Sequence, residues 1–399
     1  MKVRYTFRIE PTERQKRSLA KTFGCVRVAY NDALRFRTDS YKDGVTVNYN
    51  ASSANLTAAK KTPERAFLNE VSSVPLQQSL RHLQTAYTNF FAKRAKYPTF
   101  KNKHGKQSAE FTTSAFKWDA ANRNLTISKI GRLHVRWSRE FTSTPTTVTI
   151  SKNRAGRYFV TLCLDEVKHA LPRTGRQVGI DLGISRLATL SDGTRVANPR
   201  HTAKRAKRLA RAQRVLARRK PGSKRRERQR LKVARIHSRI SDARKDALDK
   251  LTTQLVREYD VLCIEDLNVR GMVKLPTLAK HISCASFGTF RTMLEYKATW
   301  YGKEVRVADR FFPSSKRCSA CGHTHAVMPL GIREFDCVEC GTHHDRDENA
   351  AKNIFQFAKA TTPGQGGSHG RGAHVSRGGA SASPRNARRS VNQPGSANV

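Results

Sequence analysis

The stretch CSACGHTHAVMPLGIREFDCVECGTHHDRDENAAKNI, residues 318–354, decides how the chain is read. It holds two C-x2-C pairs, Cys318 with Cys321 and Cys337 with Cys340, separated by fifteen residues. Just behind them lie Asp345 and Asp347. Thiolates are soft ligands, and four of them on two knuckles close a tetrahedron around Zn²⁺ with no position left for water. A closed site is structural, so these cysteines hold and do not catalyse. The neighbouring His323, His325, His343 and His344 leave a mixed ligand set open. The other four cysteines, Cys25, Cys163, Cys263 and Cys284, stand singly in apolar surroundings and read as buried free thiols.

Working outward from the cysteines, two further acids matter. Asp181 ends the apolar run VGID, and Glu265 follows VLCI. A carboxylate at the end of a buried strand is costly unless a cation offsets its desolvation. Taken alone, each also fits a turn or capping acid, and either Asp345 or Asp347 could cap the helix that follows. Three acids from two strand ends and one helix start can meet at one point, however. Hard Mg²⁺ or Mn²⁺ prefers carboxylate oxygen and keeps positions free for water and phosphate. Two such ions about 4 Å apart can activate a water and stabilise the leaving 3′-oxygen of a phosphodiester. GIDLGISRLATLSDG by itself looks like the first phosphate loop of the actin and sugar-kinase ATPase fold. The further glycine-rich loops of that fold are missing, and the charge of the chain argues against it.

That charge is +45, from 76 Lys and Arg against 31 Asp and Glu in 399 residues. A chain so cationic repels itself unless a polyanion neutralises it, and nucleic acid is the expected partner. No apolar run is long enough to span a bilayer, MKVRYTFRIE lacks a secretion-signal core, and no lipidation motif is present, so no membrane partner is expected. The expected address is cytoplasmic, on the nucleoid. No feature specifies an oligomeric state.

Periodicity gives the elements. Residues 2–10 alternate as a strand, and Thr12 with Gln15 resembles a capping box for a helix bearing Leu19, Phe23, Val26, Tyr30 and Leu34 on one face. A second helix is expected from Pro75 to about Lys96, its stripe of Leu76, Leu80, Leu83, Tyr87 and Phe90 read as core and not as a base-stacking platform. From about 108 to 167 the period is two, so residues 1–170 read as a β-domain with a helical insertion at about 12–105. A new unit begins near 175 and runs to 312: a buried strand ending at Asp181, a hairpin turn at Asp192-Gly193, a basic helical hairpin over 200–258 split at Pro221-Gly222, and a strand ending at Glu265.

Residues 200–245 hold 20 Lys or Arg and two acids, Glu227 and Asp242, a field too one-sided for a merely solvated face. Lys204, Arg205, Lys207, Arg208, Arg211, Arg214, Arg218, Arg219, Lys220, Lys224, Arg225 and Arg226 are the expected phosphate contacts. The cysteine ribbon spans 313–341, a short helix follows in 342–360, and 361–399 reads as a disordered basic tail.

GIDLG, IEDLNVRGM, FFPSSKRCSACG and CGTHHDRDENAAKNI, in this order, resemble the motifs of the TnpB family of insertion-sequence proteins, and the resemblance covers roughly residues 1–360. It implies an RNA-guided DNA endonuclease related to type V CRISPR effectors. It also implies a mixed α/β architecture: an N-terminal β-barrel with an inserted helical lobe, then a RuvC-like nuclease domain of the RNase H fold interrupted by the zinc ribbon. The partners implied are a guide RNA from the transposon end and double-stranded target DNA carrying a short flanking motif. By motif, the catalytic, metal-holding acids are Asp181, Glu265 and Asp347, the last chosen over Asp345 because the family's acid stands two residues before the Asn, here Asn349. A catalytically silent RNA-guided regulator of transposition is the alternative. A tyrosine transposase is disfavoured: its His-x-His pair is matched only by His323 and His325 between the knuckles, with no Tyr suitably placed.

Overall fold

The computed structural model describes residues 1–329 and 331–360; the tail expected over 361–399 lies outside the described residues. Strand β1 (Lys2–Ile9) buries Val3, Tyr5, Phe7 and Ile9 and exposes the residues between them. Helix α1 (Glu13–Lys42) opens on the full capping box. Gln15 N donates to Thr12 Oγ1 at 3.3 Å, and Thr12 N donates to Gln15 Oε1 at 3.0 Å. All five residues of its expected face are buried. Helix α2 (Tyr49–Ala59) buries only Ser52 and Leu56, too few apolar positions to show a period in the sequence. Helix α3 (Ser73–Phe91) buries Leu76, Leu80, Leu83 and Tyr87, while Phe90 is half-buried. It stops short of Lys96 because Lys93 turns the chain into the left-handed region at φ 56°.

The strands that follow are β2 (Gln107–Thr112), β3 (Phe116–Asp119), β4 (Asn124–Ile127), β5 (Gly131–Leu133), β6 (Val135–Arg136), β7 (Thr147–Lys152) and β8 (Tyr158–Asp165). They form an antiparallel sheet in the order β2-β7-β8-β1-β6 and a separate meander β3-β4-β5. The expected closed barrel is therefore not found among the described residues. The chain turns the corner from β2 to β3 through a short helical turn at Thr113–Ala115, and from β5 to β6 at His134, so the hydrogen-bonded ladders break where the sheets meet. Side chains still fill one core, in which Phe7, Phe111, Leu125 and Val160 pack with Leu19, Leu34 and Leu80 of the helical insertion.

The second half has the elements β9 (Gln177–Asp181), β10 (Arg186–Leu190), β11 (Arg195–Ala197), α4 (Ala206–Ala217), α5 (Lys224–Glu258), β12 (Val261–Glu265), α6 (Val269–Met272), α7 (Pro276–Ala285), α8 (Phe287–Tyr301), β13 (Glu304–Ala308), β14 (Glu334–Asp336), β15 (His343–Asp345) and α9 (Arg346–Ala360). Five strands make a mixed sheet in the order β11-β10-β9-β12-β13. The last three are parallel, and β10 and β11 run antiparallel. Alternation along the strands sends Val178, Ile180, Leu262 and Ile264 to one face, where they meet Leu255 of α5 and Phe290 and Leu294 of α8. Val261, Cys263 and Ala308 face the other way, onto Ile354 and Ala358 of α9. The free cysteines Cys25 and Cys263 are buried as expected, but Cys163 and Cys284 are only half-buried, because each sits on a face or helix end that solvent partly reaches.

Between these layers Gly179 is indispensable. A Cβ there would stand 2.1 Å from Ala351 O and 2.8 Å from Phe355 Cβ, so only glycine lets α9 approach the sheet this closely. Gly179→Ala is expected to push α9 away and cost about 1–3 kcal/mol. Thermal unfolding of the purified protein reads this as a lowered midpoint, and an unchanged midpoint contradicts the packing described.

Candidate active site

The four cysteine sulfurs all lie within 4.8 Å of one another. Cys318 Sγ is 3.7 Å from Cys340 Sγ, and Cys321 Sγ is 3.6 Å from Cys337 Sγ. Four thiolates around zinc at about 2.3 Å have sulfur–sulfur edges of about 3.8 Å, whereas a disulfide needs about 2.05 Å, so the donor set fits a tetrahedral metal. Matching turns build the two knuckles. Gly322 N donates to Cys318 O at 2.9 Å and Gly341 N to Cys337 O at 2.8 Å, with both glycines at positive φ (83° and 66°). Of the four nearby histidines, His344 alone is buried. Its Nε2 lies 3.1 Å from Cys318 Sγ, which makes it a hydrogen-bond partner of that sulfur beside a complete set of four.

The ribbon strands β14 and β15 pair antiparallel and lead straight into α9. Two buried asparagines tie that helix back to the first knuckle. Asn349 Oδ1 accepts from Ser319 N at 2.8 Å, and Asn349 Nδ2 donates to Arg317 O at 2.7 Å. Asn353 Nδ2 donates to Arg317 O at 2.6 Å and to Ser314 O at 2.8 Å. The metal-ligating turn and the helix start are thus one hydrogen-bonded body.

The two aspartates differ in their bonds. Asp345 is the cap: its Oδ1 accepts from Asp347 N at 3.0 Å and Glu348 N at 3.1 Å, while Arg186 and Arg195 donate to its Oδ2 at 2.9 and 3.1 Å. Burial works against its charge, and these donors overcome it, holding its pKa below the usual value. Asp347, one step inside the helix, is left with looser ion pairs, to Arg333 at 3.5 Å and Arg186 at 3.9 Å.

Asp181 stands at the end of β9, partly exposed yet densely surrounded. Its pKa is pushed well above 3.8, first by burial and then by the charges of Glu265 and Asp347. Both carboxylates are thus near enough for their charges to act on it. Burial likewise raises Glu265, against donation by the buried Ser314 hydroxyl to its Oε1. The neighbouring Asp266 behaves oppositely: burial is overcome by Arg291, which donates at 2.5 Å, and by Arg310, so it stays an ordinary ion-paired acid. Among the described residues only the four cysteines gather their ligand atoms within 4.8 Å, so the three acids are spread more widely. Two ions 4 Å apart, each bound at about 2.1 Å, need ligand oxygens spread over as much as roughly 8 Å, so a looser acid set fits a two-ion site.

The basic hairpin is exposed as expected, with one exception of role. Arg226 Nη1 donates to Leu216 O at 2.9 Å and Arg219 O at 2.7 Å, closing α4 onto α5, so part of its guanidinium serves the hairpin itself. Arg205 is half-buried, and the other ten expected phosphate contacts, Lys204 to Arg225, are exposed. A cationic cleft that periodicity could not reveal lies between the first sheet and α5. It measures about 590 Å³, and its lining includes Lys16, Lys103, Lys152, Arg228, Arg230 and Arg235. Among the described residues no helix is long and apolar enough to cross a membrane.

Residues 161–275 match the family model described as "Probable transposase", and residues 287–354 match "Cas12f1-like, TNB domain". Residues 1–45 match a "Helix-turn-helix domain", over which the structure has β1 and one unbroken helix. In fold the chain is similar to the protein of a Cas12f1–sgRNA–target DNA complex, with a TM-score of 0.56, 16% identity and coverage of 85% of this chain and 82% of the other. It is also similar to the mini-RNA-guided endonuclease CRISPR-CasΦ3, with a TM-score of 0.53, 8% identity and coverage of 90% and 92%. The mixed α/β fold is thus that of compact effector proteins of this kind. A protein of Streptomyces pristinaespiralis named "Putative RNA-guided DNA endonuclease" is 51% identical over 363 residues, 90% of each chain. InsQ of Escherichia coli K12, given the same designation, is 32% identical over 373 residues, 89% of this chain and 92% of its own. The chain belongs to the TnpB family.

The raised carboxyl of Asp181 has a consequence for stability. Between the unfolded value near 3.8 and the raised folded value, the folded protein holds a proton that the unfolded chain has released. Stability from this group is therefore lost as pH rises through that window. Asp181→Asn should raise the melting temperature of the metal-free protein at pH 7 and change it little near pH 4. A lower melting temperature at pH 7 contradicts the assignment.

Proposed function

We propose that this chain is a metal-dependent, RNA-guided DNA endonuclease of a transposable element, acting in the cytoplasm on nucleoid DNA next to a short flanking motif. One observation carries the reading: Asp181 and Glu265 end two parallel strands, Asp347 lies at the start of the helix packed on that sheet, and beyond burial the charges of Glu265 and Asp347 raise Asp181. The sheet order supports the RNase H-like nuclease domain that the family implies. The division of the chain into a β-domain with helical lobe (1–170), nuclease parts (175–312 and 342–360) and ribbon (313–341) agrees with the separate cores of the two halves. Relatives named RNA-guided DNA endonucleases, and a neighbour solved with guide RNA and target DNA, support the two nucleic-acid partners.

Asp181, Glu265 and Asp347 would hold Mg²⁺ or Mn²⁺, and Cys318, Cys321, Cys337 and Cys340 a structural Zn²⁺. At that site, bound divalent ions would supply activation of a water and charge stabilisation for the leaving 3′-oxygen. The chain's own residues do the rest. Ser314 fixes the carboxylate of Glu265. Asp345 holds Arg186 and Arg195 beside the acids, where they attract phosphate. The exposed arginines and lysines of α4 and the start of α5 neutralise the nucleic-acid backbone. Guide pairing reads the sequence, so the protein needs few base-reading side chains. The alternative, a silent RNA-guided regulator, leaves without a use an Asp181 raised by burial and by the charges of Glu265 and Asp347.

Asp181→Ala, Glu265→Ala and Asp347→Ala should each lower cutting of a guide-matched plasmid by at least about a thousandfold, roughly 4 kcal/mol of transition-state stabilisation. Filter binding of RNA and target should stay near the wild-type level. Equal loss of binding would make the acids structural, and undiminished cutting would end the nuclease reading. For the ribbon, Cys337→Ser should release the zinc measured by atomic absorption and abolish cutting with it. Full activity in a zinc-free variant rules out the coupling between knuckle and helix.

A further inference from the structure

The tip of the helical lobe exposes aromatic rings that the core does not use. Phe91 is 73% exposed, Tyr41 76% and Tyr97 44%. A single exposed aromatic is ordinary, but Phe91 and Tyr97 share a built foundation. Phe91 stacks on Tyr87 with centroids 6.3 Å apart and planes at 21°. Tyr97 stands edge-on to Tyr87 at 5.7 Å and to Phe90 at 5.2 Å. Its hydroxyl lies 3.1 Å from that of Tyr87 and 3.2 Å from Thr38 Oγ1 of α1, and Tyr41 follows Thr38 one turn later on the same helix. The turn after α3 is fixed as well, with Lys93 N donating to Phe90 O at 2.9 Å and Arg94 N to Asn89 O at 2.8 Å. Ordering these rings in water gains nothing by itself.

Charge says what should cover them. From Val71 to Ala109 the chain contains no Asp or Glu, and Lys93, Arg94 and Lys96 sit between Phe91 and Tyr97. The nearest acid on α1, Asp39, is paired with Lys42 at 3.5 Å. A second copy of this chain would bring the same cationic face against itself, and an intact duplex would meet the cations while leaving the rings idle. Unpaired nucleotides use both, stacking bases on rings and setting phosphates on the ammonium and guanidinium groups.

We propose that this face binds single-stranded DNA, with bases stacked on Phe91, Tyr97 and Tyr41. This rests on the RNA-guided reading: when guide RNA pairs with one DNA strand, its own bases are occupied, and the displaced DNA strand is left unpaired. The face then holds the opened target apart.

The test uses full-length protein copurified with its RNA. Fluorescence anisotropy measures binding of a mixed-sequence DNA oligonucleotide lacking complementarity to that RNA, at about 0.3 M salt to suppress backbone attraction. Tyr41→Ala/Phe91→Ala, which removes two exposed rings and, with Phe91, its outer contacts with Tyr87 and Phe90, should weaken single-strand binding on the order of tenfold or more, with duplex binding unchanged. Lys93→Ala/Lys96→Ala should instead reduce the salt dependence. Unchanged single-strand affinity in the ring variant overturns the proposal. So does an equal or greater loss for RNA of the same sequence, which assigns the face to the guide. A shift from dimer to monomer on sedimentation also overturns it and assigns the face to a second copy. The assay requires neither complementarity nor cutting, so absent guided cutting with the ring effect intact sinks the guided reading alone.

Discussion

The bare backbone of Gly179 lets α9 lie directly on the sheet, and the rest of the candidate site depends on that contact. A helix held even one methyl group further out would carry Asp347 away from Asp181 and Glu265, which are fixed by strand register. Hydrophobic burial of Ile354 and Ala358 against Val261, Cys263 and Ala308 supplies attraction but no precision. Precision comes from contact at van der Waals distance, the property of close-packed interiors.

The second constraint is the pair of asparagines that lock the helix to the cysteine knuckle. Asn349 and Asn353 are each 1% exposed, and their amides serve backbone groups of the ribbon that would otherwise be buried without partners. Metal capture by the four sulfurs therefore orders more than a surface loop: it orders the start of α9. Near that start, burial and the charges of Glu265 and Asp347 work against the charge of Asp181. Folding energy from the helix contact and the ribbon holds these acids in place, and a divalent cation of the kind proposed would offset that cost. Stability is thus given up at the point where chemistry is expected, as is usual for functional sites.

Much of this was legible in the chain. The cysteine spacing, the acids at the ends of apolar runs, the capping box at Thr12 and the break at Pro221-Gly222 are local patterns, and local patterns determine local structure. What could not be read depends on contacts between distant segments. Nothing around Gly179 in the sequence points to Ala351, and nothing around Ser314 points to Glu265. The open β-sheets, expected as a barrel, follow from how the ladders break at two corners, which alternation alone does not specify. Arg226 looked like any other cation of the hairpin until its hydrogen bonds to Leu216 and Arg219 were seen. Phe90 sat on the helical stripe, yet α3 ends at Phe91, where Phe90 is half-buried and Phe91 exposed.

Three residues from three distant segments are proposed to make one cation site. Mn²⁺ titration followed by electron paramagnetic resonance tests it most directly, since bound and free Mn²⁺ differ in spectrum and two ions about 4 Å apart couple magnetically. The account predicts binding that each of Asp181→Ala, Glu265→Ala and Asp347→Ala weakens strongly, while Asp266→Ala leaves it intact. Mn²⁺ binding indifferent to all three acids would contradict it.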